Sequence, residues 1–205
     1  QAHMSVEIKE ENVGPRRKSE KISDEKKKII AQNLDELFRD GVLVFPEEHN
    51  VKVKNVIPLM VVGKTDDDGE AIPLAQSARI VTQAHTTVNK WSKTPPMVTD
   101  DLNDILRAAA AASTHKFSLK CDISSAFFQL PMAKDLWQWF GVYHPFQGLM
   151  CYTRCTQGWV ASMGFMRAAF LRVFSTLDRH LLRYADDVHL IGRTENEFIQ
   201  VVSRF

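Results

Sequence analysis

The stretch RYADDVHLIG, residues 183–192, places two adjacent carboxylates between two short apolar segments. An apolar pair precedes Asp186 and Asp187, and a mostly apolar run follows them. This pattern predicts a strand, a tight turn and a second strand. Asp tolerates turn geometry, so a turn alone is enough to explain the pair. The other explanation is a cation site, which requires a further carboxylate nearby.

A second stretch supplies that carboxylate. In KFSLKCDI, residues 116–123, large side chains alternate with polar ones, which predicts a strand with one buried face. The predicted core side carries Phe117, Leu119, Cys121 and Ile123. Asp122 stands on the other side, near the end of the strand. If this strand and the hairpin are neighbours in one sheet, Asp122 meets Asp186 and Asp187.

Three carboxylates that converge repel one another, and a divalent cation is the usual relief. Hard oxygen ligands without His or Cys suit Mg²⁺ better than zinc. Two such ions, about 3.5–4 Å apart, clamp the attacking and leaving oxygens of an in-line phosphoryl transfer. From these residues alone, a solvated turn and a magnesium site both stay open.

The remaining elements predict an α+β fold. Helices are expected from Ser23 to Gly41, from Thr99 into an alanine stretch, over 160–181, and after a capping box at Thr194 and Glu197. Strands are expected at 42–45, 78–89, 136–143 and 149–153, with a hairpin tip at 66–69. An antiparallel sheet with helices packed on one face accommodates this order.

The composition, 44% hydrophobic and 25% charged over 205 residues, is that of an ordinary globular protein. No apolar run approaches the roughly 20 residues of a membrane span, so we expect no membrane association. Three cysteines without a CxxC spacing argue against a disulfide framework and a zinc site. We therefore expect buried thiols and an intracellular setting, cytoplasmic or nuclear. The net charge of +1 neither demands nor excludes nucleic acid.

Three stretches together resemble the palm motifs of reverse transcriptases, in order and spacing. They are KCDISSAFFQLPM (120–132), CTQGWVASMGFMRAAF (155–170) and RYADDVHLIG with its Tyr-x-Asp-Asp box. The likeness is greatest to LTR retrotransposons of the gypsy type and their retroviral relatives. Upstream, IPLMVVGKTDDDG, ARIVTQAHTTVN and TPPMVTDDLNDIL resemble the fingers of that family. The resemblance covers about residues 24–204.

The resemblance implies a domain plan, the right-hand palm of a polymerase plus a fingers subdomain. Residues 1–22 are expected to be a tag scar and a flexible lead-in. Residues 23–97 form the fingers-like region, and 98–205 form the palm, with some fingers strands at about 136–155. We expect the thumb and the RNase H domain to be absent.

The resemblance also implies the catalytic and metal-binding residues. Asp122, Asp186 and Asp187 are the catalytic acids of this assignment. Together with the carbonyl of Ile123 they hold two Mg²⁺ ions, for which Mn²⁺ is a possible substitute. The backbone at Ser125 and Ala126 approaches the nucleotide triphosphate.

The remaining implied residues bind the nucleotide. Phe127 lies under the deoxyribose and leaves no room for a 2′-OH, with core packing as the alternative. Gln157 and Gly158 contact the incoming nucleotide and the template side. Lys64 and Arg79 clamp the triphosphate, with solvated loop charges as the alternative.

The resulting hypothesis is an RNA-directed DNA polymerase, a nucleotidyltransferase that moves a deoxynucleotide from dNTP to a primer 3′-OH. Its partners are an RNA or DNA template-primer and dNTP, and homo- or hetero-oligomerisation stays open. One alternative is a non-catalytic reverse-transcriptase-like domain recruited as a protein or nucleic-acid interaction module. Another is an RNA-dependent RNA polymerase palm, against which Phe127 argues because a ribonucleotide needs space for its 2′-OH.

Overall fold

The computed structural model describes residues 7–8, 22–93, 106, 109–110, 112–184 and 187–205. Most of the predicted lead-in and most of the helix predicted from Thr99 lie outside the described residues. The described residues form two compact units. Unit 1 lies within Pro95–Ala126 and Met163–Phe205, and unit 2 lies within Ser5–Thr94 and Phe127–Ser162.

Helices and antiparallel strands alternate along the described chain. The strands are β1 Glu7–Ile8, β2 Leu43–Val44, β3 Leu59–Val62, β4 Arg79–Thr82, β5 Ser92–Lys93, β6 Phe117–Asp122, β7 Gly141–His144, β8 Gly148–Tyr152, β9 Leu181–Tyr184 and β10 Asp187–Gly192. The α-helices are α1 Asp24–Arg39, α2 Leu74–Ser77, α3 Val88–Trp91, α4 Ser162–Val173 and α5 Glu195–Arg204. Short 3₁₀ helices cover Pro46–His49, Ala84–Thr86, Ala112–Thr114, Ala126–Gln129, Lys134–Trp139 and Ser175–His180. The predicted α+β class is confirmed.

Unit 1 is built on an antiparallel sheet in the order β6-β10-β9. Along β10 the buried Val188 and Leu190 alternate with the exposed His189, so one face of the sheet is core and the other is open. Helix α5 packs on this sheet, where Phe198 stacks on Phe117 with ring centroids 6.0 Å apart. Fixing the sheet in this way leaves the open face of β6 and β10 available for function.

The predicted capping box opens α5. The Thr194 Oγ1 accepts a hydrogen bond from the Glu197 N–H at 3.2 Å. The Glu197 carboxylate in turn accepts from the Arg193 N–H at 2.7 Å, one residue before the expected partner. This backbone hydrogen bond is the largest cause that lowers the pKa of Glu197. The box therefore satisfies two backbone donors at the helix start.

Unit 2 contains an antiparallel sheet in the order β2-β8-β7, against which α1 packs. Helix α1 begins at the predicted cap, since the Lys26 N–H donates to the Ser23 Oγ at 3.4 Å. It ends at Gly41, whose φ of +68° suits the left-handed C′ position. The Val42 N–H reaches back to the Leu37 carbonyl at 2.9 Å, which completes the helix terminus and leads into β2.

A second ladder in unit 2 pairs β3 with β4, and the chain between them folds into an acidic tip. The Gly69 N–H donates to the Asp66 carbonyl at 3.1 Å, which closes the predicted turn. The Asp66 carboxylate accepts from the N–H groups of Asp68 and Glu70, at 3.1 and 2.8 Å. Asp66 thus has a local role in holding the turn.

Several predicted elements differ from the observed ones. The strand predicted at 136–143 is a 3₁₀ helix up to Trp139, and the strand begins only at Gly141. The strand predicted at 78–89 ends at Thr82. The helix predicted over 160–181 ends at Val173, which is 67% exposed rather than buried. Leu119, placed in the core by alternation, is 41% exposed.

Two of the three cysteines are buried, as expected, and Cys121 is half-buried. Cys121, Cys151 and Cys155 are all free, and burial raises the pKa of Cys151 to about 11 and of Cys155 to about 12. Both thiols therefore stay protonated near neutral pH and pack as small apolar groups. Among the described residues, no helix is both long enough and apolar enough to cross a membrane.

Candidate active site

Two carboxylates face each other across the ladder that joins β6 and β10 in unit 1. Asp187 opens β10 and is the register partner of Asp122, which closes β6. Directly opposite residues in an antiparallel pair project to the same face, with Cα atoms about 4.5–5.5 Å apart. Asp122 is exposed, and the Asp187 side chain is 45% exposed. Asp186, the third predicted acid, lies outside the described residues.

A lysine lies beside this acidic pair. The Lys120 Nζ is 2.9 Å from the Asp187 Oδ1. Lys120 shares the face of Asp122 because it precedes it by two positions in the strand. The hydrogen bond and the charge of Asp187 raise the pKa of Lys120, and Asp122 adds a smaller effect in the same direction. The acidic pair therefore already attracts a cation from its own sheet.

The donor atoms at this position fit a hard divalent cation. Asp122 and Asp187 offer accessible carboxylate oxygens, the ligand type that Mg²⁺ prefers, and water can fill the remaining positions. Ile123, whose carbonyl was predicted as a ligand, follows directly after β6. Within the described part of the chain, no group of three or more His, Cys, Asp or Glu side chains forms a metal cluster.

The chain leaves Asp122 through a strained turn. Ser125 has a φ of +53°, which is uncommon for a residue with a side chain. It leads into the 3₁₀ helix that begins at the buried Ala126. Such backbone outliers cluster at functional sites, and both residues were predicted to meet the triphosphate. Phe127, the next residue, is half-buried and belongs to unit 2.

In unit 2, Gln157 and Gly158 form an exposed turn before α4. Gly158 has a φ of +86°, and a Cβ there would lie 3.2 Å from the Thr82 carbonyl oxygen, so the turn requires glycine. The Thr82 hydroxyl donates to the Gln157 carbonyl. The structure thus places the two predicted residues together and ties them to the end of β4.

Helix α3 holds the same turn. The Asn89 Nδ2 donates to the Gly158 carbonyl at 2.7 Å, and its Oδ1 accepts from the Val160 N–H at 2.9 Å. The buried Trp159 donates through Nε1 to the Ser92 Oγ at 3.0 Å. No local pattern in the sequence links Asn89 and Ser92 to this turn, because their partners lie about 70 residues away.

Lys64 and Arg79, the predicted triphosphate clamp, lie at one end of the β3–β4 ladder. Arg79 opens β4 opposite Val62, and Lys64 follows β3 by two positions. The Lys64 N–H donates to the buried Ser77 Oγ at 3.3 Å. Both basic side chains are exposed, so both are accessible to a ligand.

The chain was compared with protein families, curated proteins and solved structures. Residues 72–205, more than half of the chain, match the family described as reverse transcriptase (RNA-dependent DNA polymerase). No curated protein matches it.

Solved structures of similar fold include the native protease-reverse transcriptase of prototype foamy virus, with a TM-score of 0.68 and 21% identity. That match covers 93% of this chain and 23% of the viral chain. The foamy viral enzyme in complex with an RNA/DNA hybrid gives a TM-score of 0.72 at 21% identity, over 94% and 23% of the two chains. The dRH form of the foamy viral enzyme in complex with double-stranded DNA gives a TM-score of 0.65 at 21% identity, and the match covers 93% of this chain and 29% of the viral chain.

The chain therefore spans about a quarter of the length of these proteins, and at this identity they show the fold. These structures confirm the predicted polymerase architecture. The three stretches that resemble palm motifs, 120–132, 155–170 and 183–192, lie inside the residues that match the family. Together with the family match over residues 72–205, this shows that the chain belongs to the reverse transcriptase (RNA-dependent DNA polymerase) family.

Proposed function

We propose that this chain is the fingers and palm part of a retroelement RNA-directed DNA polymerase. It transfers a deoxynucleotide from dNTP to a primer 3′-OH, templated by RNA or DNA. The observation that carries the proposal is the register of Asp187 against Asp122 on an open sheet face. The assignment to gypsy-type LTR retrotransposons is part of the proposal and rests on the motifs of the sequence.

The acids of the Tyr-x-Asp-Asp box and Asp122 hold the metal in this proposal. Asp122, Asp186, Asp187 and the carbonyl of Ile123 are the ligands of two Mg²⁺ ions. When bound, these ions lower the pKa of the primer hydroxyl and offset the charge of the departing pyrophosphate. The protein's part is to bring the carboxylates together, and the antiparallel register puts Asp122 and Asp187 on one face.

Residues outside the acidic pair bind and select the nucleotide. The backbone at Ser125 and Ala126 donates to the triphosphate, a role that suits the left-handed turn at Ser125. Phe127 excludes a 2′-OH by its bulk. Each of these residues follows Asp122 within five positions, so one short segment serves both metal and nucleotide.

The fingers-like region, 23–97, supplies the remaining contacts. The exposed Lys64 and Arg79 neutralise the triphosphate. Gln157 and Gly158 contact the incoming nucleotide and the template, from a turn that Thr82 and Asn89 hold in place.

Nucleic acid is the proposed macromolecular partner, and the proposed location is intracellular. The foamy viral relatives of similar fold include complexes with an RNA/DNA hybrid and with double-stranded DNA. A nucleic-acid duplex, the ligand in those complexes, is also the form of the template-primer in the proposed reaction.

Primer extension tests the proposal. The natural protein that contains this chain is given a primed RNA template, dNTPs and Mg²⁺, and incorporation is compared with that of Asp186→Asn. We expect the variant to lose more than about 100-fold in incorporation, because a metal ligand is removed outright and the loss of a group that only orients a ligand already costs about 10–100-fold. Glu195→Gln, which removes an exposed acid from the first turn of α5, is the matched control. Equal incorporation by parent and Asp186→Asn would favour the non-catalytic interaction module instead.

A further inference from the structure

We propose that Lys120 is a positioning residue that competes with the divalent cation for Asp187. In the metal-free protein its ammonium holds the Asp187 carboxylate and offsets part of the negative charge of the acidic pair, and it releases this carboxylate when the cation binds. The inference rests on the proposed function, because it concerns the same metal site.

The geometry on the sheet supports this role. Register places Lys120 opposite His189 and Asp122 opposite Asp187, so Lys120 and Asp187 are diagonal neighbours on one face. The distance of 2.9 Å between the Lys120 Nζ and the Asp187 Oδ1 is that of a charge-assisted hydrogen bond. A long side chain reaches across this diagonal without any change of the backbone.

The exposure of the pair makes the contact exchangeable. The Lys120 side chain is 60% exposed, so water can replace the carboxylate around its ammonium. Ion pairs between exposed side chains contribute little to stability, and their attraction is screened by salt. An ion pair of this kind orients Asp187 but yields to a stronger ligand.

A divalent cation and the ammonium cannot both use the same carboxylate oxygen well. Mg²⁺ requires near-octahedral oxygen ligands at short distances, and a neighbouring positive charge repels it. Cation binding through the Asp187 Oδ1 therefore requires the Lys120 ammonium to leave this oxygen, and binding through the other carboxylate oxygen still meets the repulsion of its charge. Removing the ammonium should strengthen cation binding, whereas removing a direct ligand should abolish it.

Binding of Mn²⁺, followed by electron paramagnetic resonance of the free ion, measures this competition without any turnover. We expect Lys120→Met to bind Mn²⁺ about two- to fivefold more tightly than the parent, the range set by the strength of an exposed ion pair. Lys120→Arg keeps the charge and should return to within about twofold of the parent. Lys116→Met removes an exposed lysine just before the same strand and should leave the affinity unchanged.

Thermal unfolding separates positioning from a merely structural role. Without metal, Lys120→Met should unfold at a lower temperature than the parent, since the acids lose their counter-charge. At saturating Mn²⁺ this gap should close, because the cation replaces the ammonium. A gap of equal size in both conditions would refute the inference, as would Mn²⁺ affinity that is unchanged or weaker in Lys120→Met.

The two proposals fail in different ways. If the parent binds Mn²⁺ and Asp122→Asn removes this binding, the metal site stands, and only the Lys120 variants decide the inference. If Asp122→Asn binds Mn²⁺ as the parent does, the metal site itself is wrong and the inference falls with it.

Discussion

Asn89 is the residue whose removal tests most directly how the Gln157–Gly158 turn is held. It makes two hydrogen bonds to the turn, at 2.7 and 2.9 Å. Each is expected to contribute about 0.5–1.5 kcal/mol net. Alanine regains at most about 0.7 kcal/mol from its higher helix propensity in α3. We therefore expect Asn89→Ala to destabilise the closed turn by about 1–2 kcal/mol.

The assay is hydrogen exchange at the Val160 amide, whose acceptor is the Asn89 Oδ1. A loss of 1–2 kcal/mol corresponds to about 5- to 30-fold faster exchange if the turn opens locally. Asn89→Asp keeps an acceptor for Val160 while it loses the donor to Gly158, so its Val160 amide should stay more protected than in the alanine variant. Lys90→Ala, at the exposed next position, is the control and should leave exchange unchanged.

The reasoning fails if Val160 exchanges at the parental rate in Asn89→Ala. Its amide would then draw protection from the surrounding structure rather than from Asn89. Exchange that accelerates equally in Lys90→Ala would also contradict it, because α3 as a whole rather than one amide side chain would then hold the turn.

Two further predictions concern α5 and its approach to β10. A Cβ at Gly192 would lie 2.8 Å from the Phe198 Cβ and 2.9 Å from its Cα. Gly192→Ala should therefore lower the free energy of unfolding, measured by chemical denaturation, by about 1–3 kcal/mol. The control is Gly63→Ala, whose Cβ would meet only a flexible leucine side-chain carbon at 3.1 Å and a serine hydroxyl at 3.7 Å. It should lower the free energy of unfolding clearly less. A similar loss of stability in both variants would contradict the packing argument. The hydrogen bond from the Arg193 N–H is the main cause that lowers the pKa of Glu197. The stabilising effect of the ionised carboxylate is therefore complete above its ordinary pKa of 4.5 and is lost as the pH falls through the lowered pKa. The parent should therefore have a higher melting temperature than Glu197→Gln near neutral pH, and the difference should shrink as the pH is lowered below 4.5. A difference that stays constant with pH would show that the carboxylate charge is irrelevant.

The local elements with strong capping or turn signals were predictable from the sequence. Ser23 and Gly41 bound α1 as expected, and Thr194 with Glu197 opens α5. The two strands predicted on either side of the Tyr-x-Asp-Asp box are also confirmed, as β9 and β10, which pair antiparallel. In each case the determining hydrogen bonds join residues within a few positions, so the pattern and its physical cause lie in the same window.

Elements whose conformation depends on distant contacts were predicted less well. The aromatic-rich segment Lys134–Trp139 has strand propensity but forms a 3₁₀ helix. Its Gln138 carbonyl accepts from the N–H groups of Lys54 and Asn55, at 2.7 and 3.3 Å. Such bonds to a segment about 80 residues away have no local signal, and they outweigh propensity. Helix α4 also ends earlier than predicted, at Val173, and a 3₁₀ segment with three residues per turn follows it up to His180.

The candidate site was predictable in its residue types but not in its surroundings. Alternation alone placed Asp122 on the open face, and the register confirms that Asp187 meets it there. Lys120 was assigned to the polar side of the strand, yet its ion pair with Asp187 depends on the register between strands about 65 positions apart. Pairing register is a property of the folded sheet, and one sequence does not display it.

The facing of Asp122 and Asp187 also determines where this chain tolerates changes in length. Side chains alternate along a strand, so one residue inserted or deleted inside β6 or β10, short of the paired acids, would turn one carboxylate to the opposite face of the sheet. Exposed turns outside the paired strands carry no such parity, since none of their residues is paired in a sheet. We therefore expect natural length variation among related chains to fall in exposed turns such as the tip at 66–69, and deletion scanning to find both strands intolerant of a single-residue change.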